Sequence, residues 1–198
     1  NIYKGVDLWD AMVREGNFIK AIHHKIENNF ELFNKTILIV GFGRIGKKLI
    51  KKCLGFDLKV IVYDPYVSED TISSLGGKKI LNLEDGLKEA DILSLSLPLN
   101  SKTRNFISLK EMKMMKSSSI IINISRGGLI NEEDLNVALN DKIISFAGID
   151  VFEKEPPESD NPLLTNKRVL LSPHAATFTK ECLENMSIET VQNIINFF

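Results

Sequence analysis

Apolar residues recur at two different periods along this chain, and the alternation between them predicts an architecture. Thr36-Ile37-Leu38-Ile39-Val40 is a continuous, β-branched run, as a strand buried on both faces requires. Residues 44–54 then read as a helix and Lys59–Tyr63 as a second strand. The alternation continues with a helix at 68–75 and a short strand at 79–81, a helix at 83–89 and a strand at 91–96. A helix at 108–115 leads to a strand at 119–124, a helix at 131–140 to a strand at 145–149, and a last strand lies at 169–171. Strands alternating with helices imply right-handed βαβ crossovers on a parallel sheet. The expected fold class is α/β, a doubly wound parallel sheet in a three-layer αβα arrangement.

Helical segments flank this core. Val6, Leu8, Trp9, Met12, Val13, Phe18, Ile19, Ile22 and Ile26 lie close to helical spacing, and a helix is expected over 4–14. The stretch to residue 30 is less regular and reads as a connector, with His23 and His24 as loop residues. A closing helix is expected over 179–196, and the proline-containing stretch Glu155–Pro162 reads as a surface loop. The chain thus divides into a helical crossover segment (1–30), a sheet core (31–175) and a closing segment (176–198).

Composition narrows the picture mainly by exclusion. Hydrophobic residues make up 43% and charged residues 26% of 198, which is ordinary for a globular protein. A net charge of −1 offers no broad basic field for nucleic acid or an anionic membrane. No apolar run approaches the roughly 20 residues needed to span a bilayer. The two cysteines, Cys53 and Cys182, have no metal-ligand spacing, so no metal is expected and a reducing cytoplasmic compartment is the simplest expectation. The chain opens Asn1-Ile2-Tyr3-Lys4 without an initiator methionine or a secretory signal, and a longer parent protein or a trimmed chain is expected.

The first chemical motif is Gly41-Phe42-Gly43-Arg44-Ile45-Gly46, which follows the strand 36–40 and opens the helix 44–54. That is the Rossmann-type context for a dinucleotide. Gly41 permits a tight turn, Gly43 lets the backbone approach a pyrophosphate, and Gly46 lets the helix lie close to the strand. The N–H groups near Arg44 and Ile45 then face the phosphates, with the helix dipole behind them. Asp64 lies 18 residues after Gly46, at the end of the second strand. A carboxylate there suits the adenosine ribose diol and repels a 2′-phosphate, favouring NAD over NADP. The plainer reading is a helix cap.

In such sheets ligands sit beyond the carboxyl ends of the strands. Four polar groups fall there: Ser96-Leu97-Pro98-Leu99-Asn100, Asn123-Ile124-Ser125-Arg126-Gly127-Gly128, Asp150 through Glu155-Pro156, and Ser172-Pro173-His174. Arg126 is a forked cation suited to a carboxylate, or a plain loop arginine. Asp150 is placed to bond a nicotinamide carboxamide. Glu153 and Glu155 are a solvated acidic loop, or Glu155 partners His174. A carboxylate beside an imidazole makes a general acid–base couple. Together these are the parts for interconverting a 2-hydroxy acid and a 2-oxo acid.

At these residues the sequence resembles the NAD-dependent D-isomer-specific 2-hydroxyacid dehydrogenases, over roughly residues 5–196. The resemblance rests on Gly41–Gly46 with Asp64, on Leu97-Pro98-Leu99 with Thr103, on Asn123–Gly128, and on Asp150-Val151-Phe152 through Glu155-Pro156 to Pro173-His174. It implies an oxidoreductase moving a hydride between NAD and a small D-2-hydroxy acid, phosphoglycerate dehydrogenase-like. His174 would exchange the proton, Glu155 hold it, and Arg126 bind the substrate carboxylate. Cofactor contacts would come from Gly41, Gly43, Arg44, Ile45, Gly46, Asp64, Leu97, Pro98, Thr103, Ile124, Ser125, Arg126, Asp150 and His174. Members begin with a substrate-binding domain that is not represented here, so this chain is expected to be the cofactor half and poorly active alone. Asn17-Phe18 replaces the family's usual Gly-x-Trp, and Asn34 stands where glycine is common; Asn tolerates a left-handed backbone. The resemblance also implies a homodimer through the cofactor domain, with Trp9 as a contact or simply a core residue of its helix. Two other functions share the scaffold: an NAD-sensing corepressor, and a formate or phosphite dehydrogenase.

Overall fold

A computed structural model describes residues 6–23 and 30–198. The first two residues of the expected helix 4–14 and residues 24–29 of the connector, His24 among them, lie outside the described residues. The sheet runs through seven strands: β1 (Thr36–Val40), β2 (Lys59–Tyr63), β3 (Lys78–Lys79), β4 (Ile92–Leu95), β5 (Ile120–Asn123), β6 (Phe146–Ile149) and β7 (Val169–Leu171). Their order is β3-β2-β1-β4-β5-β6-β7, and every neighbouring pair is parallel. The chain therefore reverses its direction of travel between β1 and β4. That reversal opens a crevice at the carboxyl end of the sheet.

Eight α-helices are described: α1 (Val6–Arg14), α2 (Phe18–His23), α3 (Arg44–Leu54), α4 (Glu69–Ser73), α5 (Leu83–Glu89), α6 (Leu109–Met112), α7 (Glu132–Asn140) and α8 (Lys180–Phe197). The alternating strand residues sort them into layers. Ile37 and Ile39 of β1 join a cluster with Ile50 and Cys53 of α3 and Ile72 of α4. Leu38 and Val40 face the other way, into a cluster with Leu87 of α5, Met112 of α6 and Leu135 of α7. Burying both faces of a parallel sheet is what its continuous apolar strands demand. The result is the expected Rossmann-type, doubly wound α/β fold.

The departures from expectation are local. Residues 18–23 form a helix instead of an irregular connector, its first turn closed by Ala21 N–H donating to Asn17 O at 2.8 Å. His23 therefore lies in a helix and is not a loop residue. The expected helix over 108–115 is regular only to Met112. There the chain tightens, with Met115 N–H donating to Met112 O, and returns Met115 to the core. Strand β3 is an edge strand of two residues, and Leu81 beyond it is 87% exposed. Asn34 adopts the left-handed conformation that its place in a glycine-favoured position suggested, with φ +59.

Candidate active site at the carboxyl edge of the sheet

The glycine loop sits at the reversal point. Gly41 has φ +90, and a Cβ there would lie 2.6 Å from the carbonyl oxygen of Ser96, so β1 and the segment after β4 meet backbone to backbone. Phe42 is 1% exposed and anchors the loop in the core. Asp64, at the end of β2, accepts hydrogen bonds from Phe42 N–H and Tyr66 N–H, each at 2.8 Å. Its carboxylate thus braces the loop and caps its own turn.

The start of α3 suits a dinucleotide. Gly43 is the N-cap of α3, is exposed, and has nothing within 4 Å of the position a Cβ would take. No side chain caps α3 and its first turn carries no acid, whereas α4, α5, α7 and α8 are each capped by Ser68, Asn82, Asn131 and Thr179. The free N–H donors at Arg44 and Ile45, both exposed, suit a phosphate. A cavity of about 370 Å³ adjoins the loop, walled by Gly41, Asp64, Tyr66, Leu97, Pro98 and Thr103. Ser96 Oγ, buried on that wall, has no partner among the described residues.

Hydrogen bonds carry the edge onward. Thr103 Oγ1 donates to Pro98 O at 2.7 Å and accepts from Asn100 N–H at 2.8 Å, which fixes the turn after β4. Ser125 Oγ donates to Leu97 O at 2.7 Å and joins that turn to the end of β5. Asn123 folds the β5 turn on itself, accepting from Ser125 N–H and donating to Arg126 O. Ile124 stands 41% exposed on this turn. Arg126 is exposed, and one of its N–H groups donates to Ser125 O at 2.6 Å. No described carboxylate forms an ion pair with it. Gly127 has no room for a side chain, since a Cβ would fall 1.7 Å from Phe152 O. The β5 and β6 turns are in that sense one packed unit.

The strand ends of β6 and β7 bring Glu155 and His174 together. His174 Nδ1 lies 2.7 Å from Glu155 Oε2, and Glu155 Oε1 accepts from Phe152 N–H at 3.0 Å. The hydrogen bond with His174, then that from Phe152, hold the Glu155 carboxyl below the usual carboxylate range. An ionised Glu155 only accepts, so Nδ1 carries the proton and the lone pair of the neutral ring sits on Nε2. The peptide between Glu155 and Pro156 is cis. An apolar groove of about 460 Å³ opens beside the pair, walled by Phe152, Leu164, Leu171 and Pro173.

Asp150 proves to be a brace that the sequence did not reveal. It is 3% exposed, and its carboxylate accepts from Ser172 Oγ at 2.5 Å, Ala175 N–H at 2.9 Å and Ala176 N–H at 3.1 Å. Burial pushes the Asp150 carboxyl up, but these hydrogen bonds outweigh it and hold the group below its ordinary value. Its carbonyl accepts from His174 N–H at 2.7 Å. His174 is thereby held at φ +52, a left-handed conformation that costs a non-glycine residue roughly 1–2 kcal/mol. For the carboxamide role expected of Asp150, one acceptor position on Oδ2 is without a partner among the described residues. Among the described residues no cluster of three or more His, Cys, Asp or Glu could hold a metal ion.

Comparison with known proteins agrees with this geometry. The family described as D-isomer specific 2-hydroxyacid dehydrogenase, NAD binding domain, matches residues 1–176. The chain is 41% identical to a D-3-phosphoglycerate dehydrogenase of Methanocaldococcus jannaschii over 151 residues, covering 76% of this chain and 29% of that protein. It is 38% identical to a glyoxylate reductase of Thermococcus litoralis over 191 residues, covering 95% of this chain and 57% of the relative. In three dimensions it is similar to D-lactate dehydrogenase with NAD+ from Lactobacillus jensenii, with a TM-score of 0.83 and 28% identity, covering 98% of this chain and 61% of that one. The chain thus spans between 29% and 57% of the length of these two sequence relatives. It belongs to the D-isomer-specific 2-hydroxyacid dehydrogenase family, whose NAD-binding domain it matches along most of its length.

Proposed function

We propose that this chain is the cofactor and acid–base half of an NAD-dependent dehydrogenase acting on a small D-2-hydroxy acid or its 2-oxo counterpart. The observation that carries the reading is the His174–Glu155 pair at 2.7 Å, set beside Arg126 on adjacent strand ends of the sheet that holds the glycine loop. NAD, when bound, supplies the two-electron exchange at the substrate's C2. Gly43, Arg44 and Ile45 hold its pyrophosphate, Asp64 its ribose, and the wall of Leu97, Pro98 and Thr103 its adenine side, with Ile124, Ser125 and Asp150 toward the nicotinamide.

The chain's own residues do the rest. Nε2 of His174 takes the proton of the substrate hydroxyl as the alcohol is oxidised and returns it in reduction. Glu155 stabilises the imidazolium that forms and fixes the ring's tautomer. Arg126 turns its fork from Ser125 O to the substrate carboxylate, which sets the C2 atom against the acid–base pair. The remaining wall of the cleft comes from sequence that these residues do not include. On this view the isolated chain binds NADH but reduces 2-oxo acids poorly. The test compares His174→Ala with Asp64→Ala in NADH fluorescence titrations and in turnover of a 2-oxo acid panel by the protein that carries this chain. His174→Ala should keep NADH affinity and lose turnover by about 10²–10⁴-fold. Asp64→Ala should weaken NADH and relax the bias against NADPH. Equal loss of binding and turnover in His174→Ala would show a structural histidine and overturn the reading.

A homodimer through the first two helices belongs to the same proposal. Val13, Phe18 and Ile22 are 46–63% exposed and line a groove of about 330 Å³ with Trp9, whose Nε1 has no partner among the described residues. A monomeric mass in sedimentation would remove it. Among the described residues no helix is long and apolar enough to cross a membrane. We assign the chain to the cytoplasm, where Cys53 and Cys182 would stay reduced, as both are free in the structure.

A further inference from the structure

Glu155 is presented by a loop, and the loop is closed by a residue from another element. Glu132 opens α7, and its two carboxylate oxygens go to the two ends of the segment 153–161. Oε1 accepts from Glu153 N–H at 2.6 Å, and Oε2 accepts from Asn161 Nδ2 at 2.6 Å. Asn161 is committed on its other side, since its Oδ1 accepts from Leu163 N–H at 3.0 Å and Leu163 is fully buried. Glu155 lies between the two tied points. The neighbouring Asp134 has other work, since it accepts from Leu109 N–H at 2.9 Å and joins α7 to α6. A second tie at the start of the loop, Arg104 to Glu153 at 2.5 Å, joins side chains that are about half exposed and contributes little.

We infer that Glu132 is a positioning residue for the Glu155–His174 couple: by clamping both ends of the 153–161 loop it sets the direction from which Glu155 meets Nδ1. This rests on the reading of that couple as the acid–base pair of a dehydrogenase. The alternative is an acid placed at a helix start only for the helix dipole, which would leave Glu155 indifferent to its removal. Glutamine at 132 keeps the shape but offers one acceptor oxygen to two donors, and its amide meets one of them donor to donor.

The test is run on this chain with Glu132→Gln, Glu132→Asp and Asn161→Ala, reading the Glu155 side-chain carboxyl titration by carbon-detected NMR, NADH affinity by fluorescence, and thermal unfolding. Glu132→Gln should move the Glu155 titration up toward the ordinary carboxylate range and leave NADH affinity unchanged, and Glu132→Asp should restore part of the shift. Asn161→Ala, which removes one tie of two, should give a smaller shift, and it carries the test if Glu132→Gln does not fold. In the protein that carries this chain, turnover should fall on the order of 10²-fold with the KM for NADH unchanged. An unmoved Glu155 titration in the folded variants overturns the positioning role. The titration needs no turnover, so a shifted Glu155 in a protein that reduces no 2-oxo acid would uphold the positioning and overturn the dehydrogenase reading instead.

Discussion

The two sides of the crevice are held in place by different physics. On the glycine-loop side, position comes chiefly from packing, with Asp64 as a polar tie to Phe42 N–H. Gly41 lies against the Ser96 carbonyl, Phe42 is buried, and the strands beneath are almost wholly apolar. On the acid–base side, position comes from polar ties that return from distant residues: Asp150 to the 172–176 turn, Glu155 to Phe152, Glu132 to Glu153 and Asn161. Packing is insensitive to pH and fails by steric overlap. Polar ties hold exposed chemical groups such as His174 at the surface, where no core could, and they fail when an acceptor is lost or protonated.

The sharpest way to break the contrast is at a place where the acid–base side also depends on packing. Gly127 has the carbonyl of Phe152 where a Cβ would go, 1.7 Å away, and the obstacle is backbone. Gly127→Ala should therefore push the β5 and β6 turns apart and cost about 3 kcal/mol of stability, read as a drop in the denaturant midpoint. Arg126 and Glu155 would move with those turns. A midpoint within error of wild type would show that the two turns are not packed as one unit.

A smaller effect should come from the polar brace itself. Asp150→Asn keeps the size of the side chain but presents an amide to one of the three donors that its carboxylate now accepts. The expected cost is about 2 kcal/mol at neutral pH. Its pH dependence has a definite sign. The folded Asp150 carboxyl titrates below its ordinary value, so its contribution is fully present above the unfolded value of about 3.9 and is lost as pH falls through the folded value. The stability gap between wild type and Asp150→Asn should accordingly be constant from pH 7 down to about 5 and shrink in stronger acid. A gap independent of pH would mean that the variant acts by shape alone.

The same contrast explains why some features are legible in the sequence and others are not. The periodicity of β1, β2 and their helices exposed the sheet, and Gly41 to Gly46 with Asp64 exposed the crevice, because packing writes itself as local pattern. The pairing of Glu155 with His174 was legible only as a combination of motifs across 19 residues. Asp150 was legible as a strand-end acid but not as the brace of the His174 turn. Glu132 carried no signal, since an acid in the first turn of a helix is ordinary and nothing local indicates that it reaches back to Glu153 and Asn161. The helix at 18–23 reads in the sequence as a less regular connector although Phe18, Ile19 and Ile22 stand at helical spacing, because the break at Gly16, with φ +77, interrupts the period that begins in α1.

Gly43 offers the finest division between the two kinds of constraint, because it belongs to the packed loop and yet has open space where a Cβ would go. Its φ of −77 is open to any residue, and no atom lies within 4 Å of the position its Cβ would occupy. Gly43→Ala should therefore change stability by less than about 1 kcal/mol, the modest preference for glycine over alanine at an N-cap. NADH affinity should nonetheless fall roughly tenfold or more, about 1.4 kcal/mol, since the new methyl fills the space through which a pyrophosphate reaches the uncapped start of α3. Paired measurement of the unfolding midpoint and NADH fluorescence on one variant separates the two quantities. Loss of stability without loss of binding would place Gly43 among the packing glycines with Gly41. Loss of binding alone means that this side of the crevice keeps one glycine for its ligand and the other for its fold.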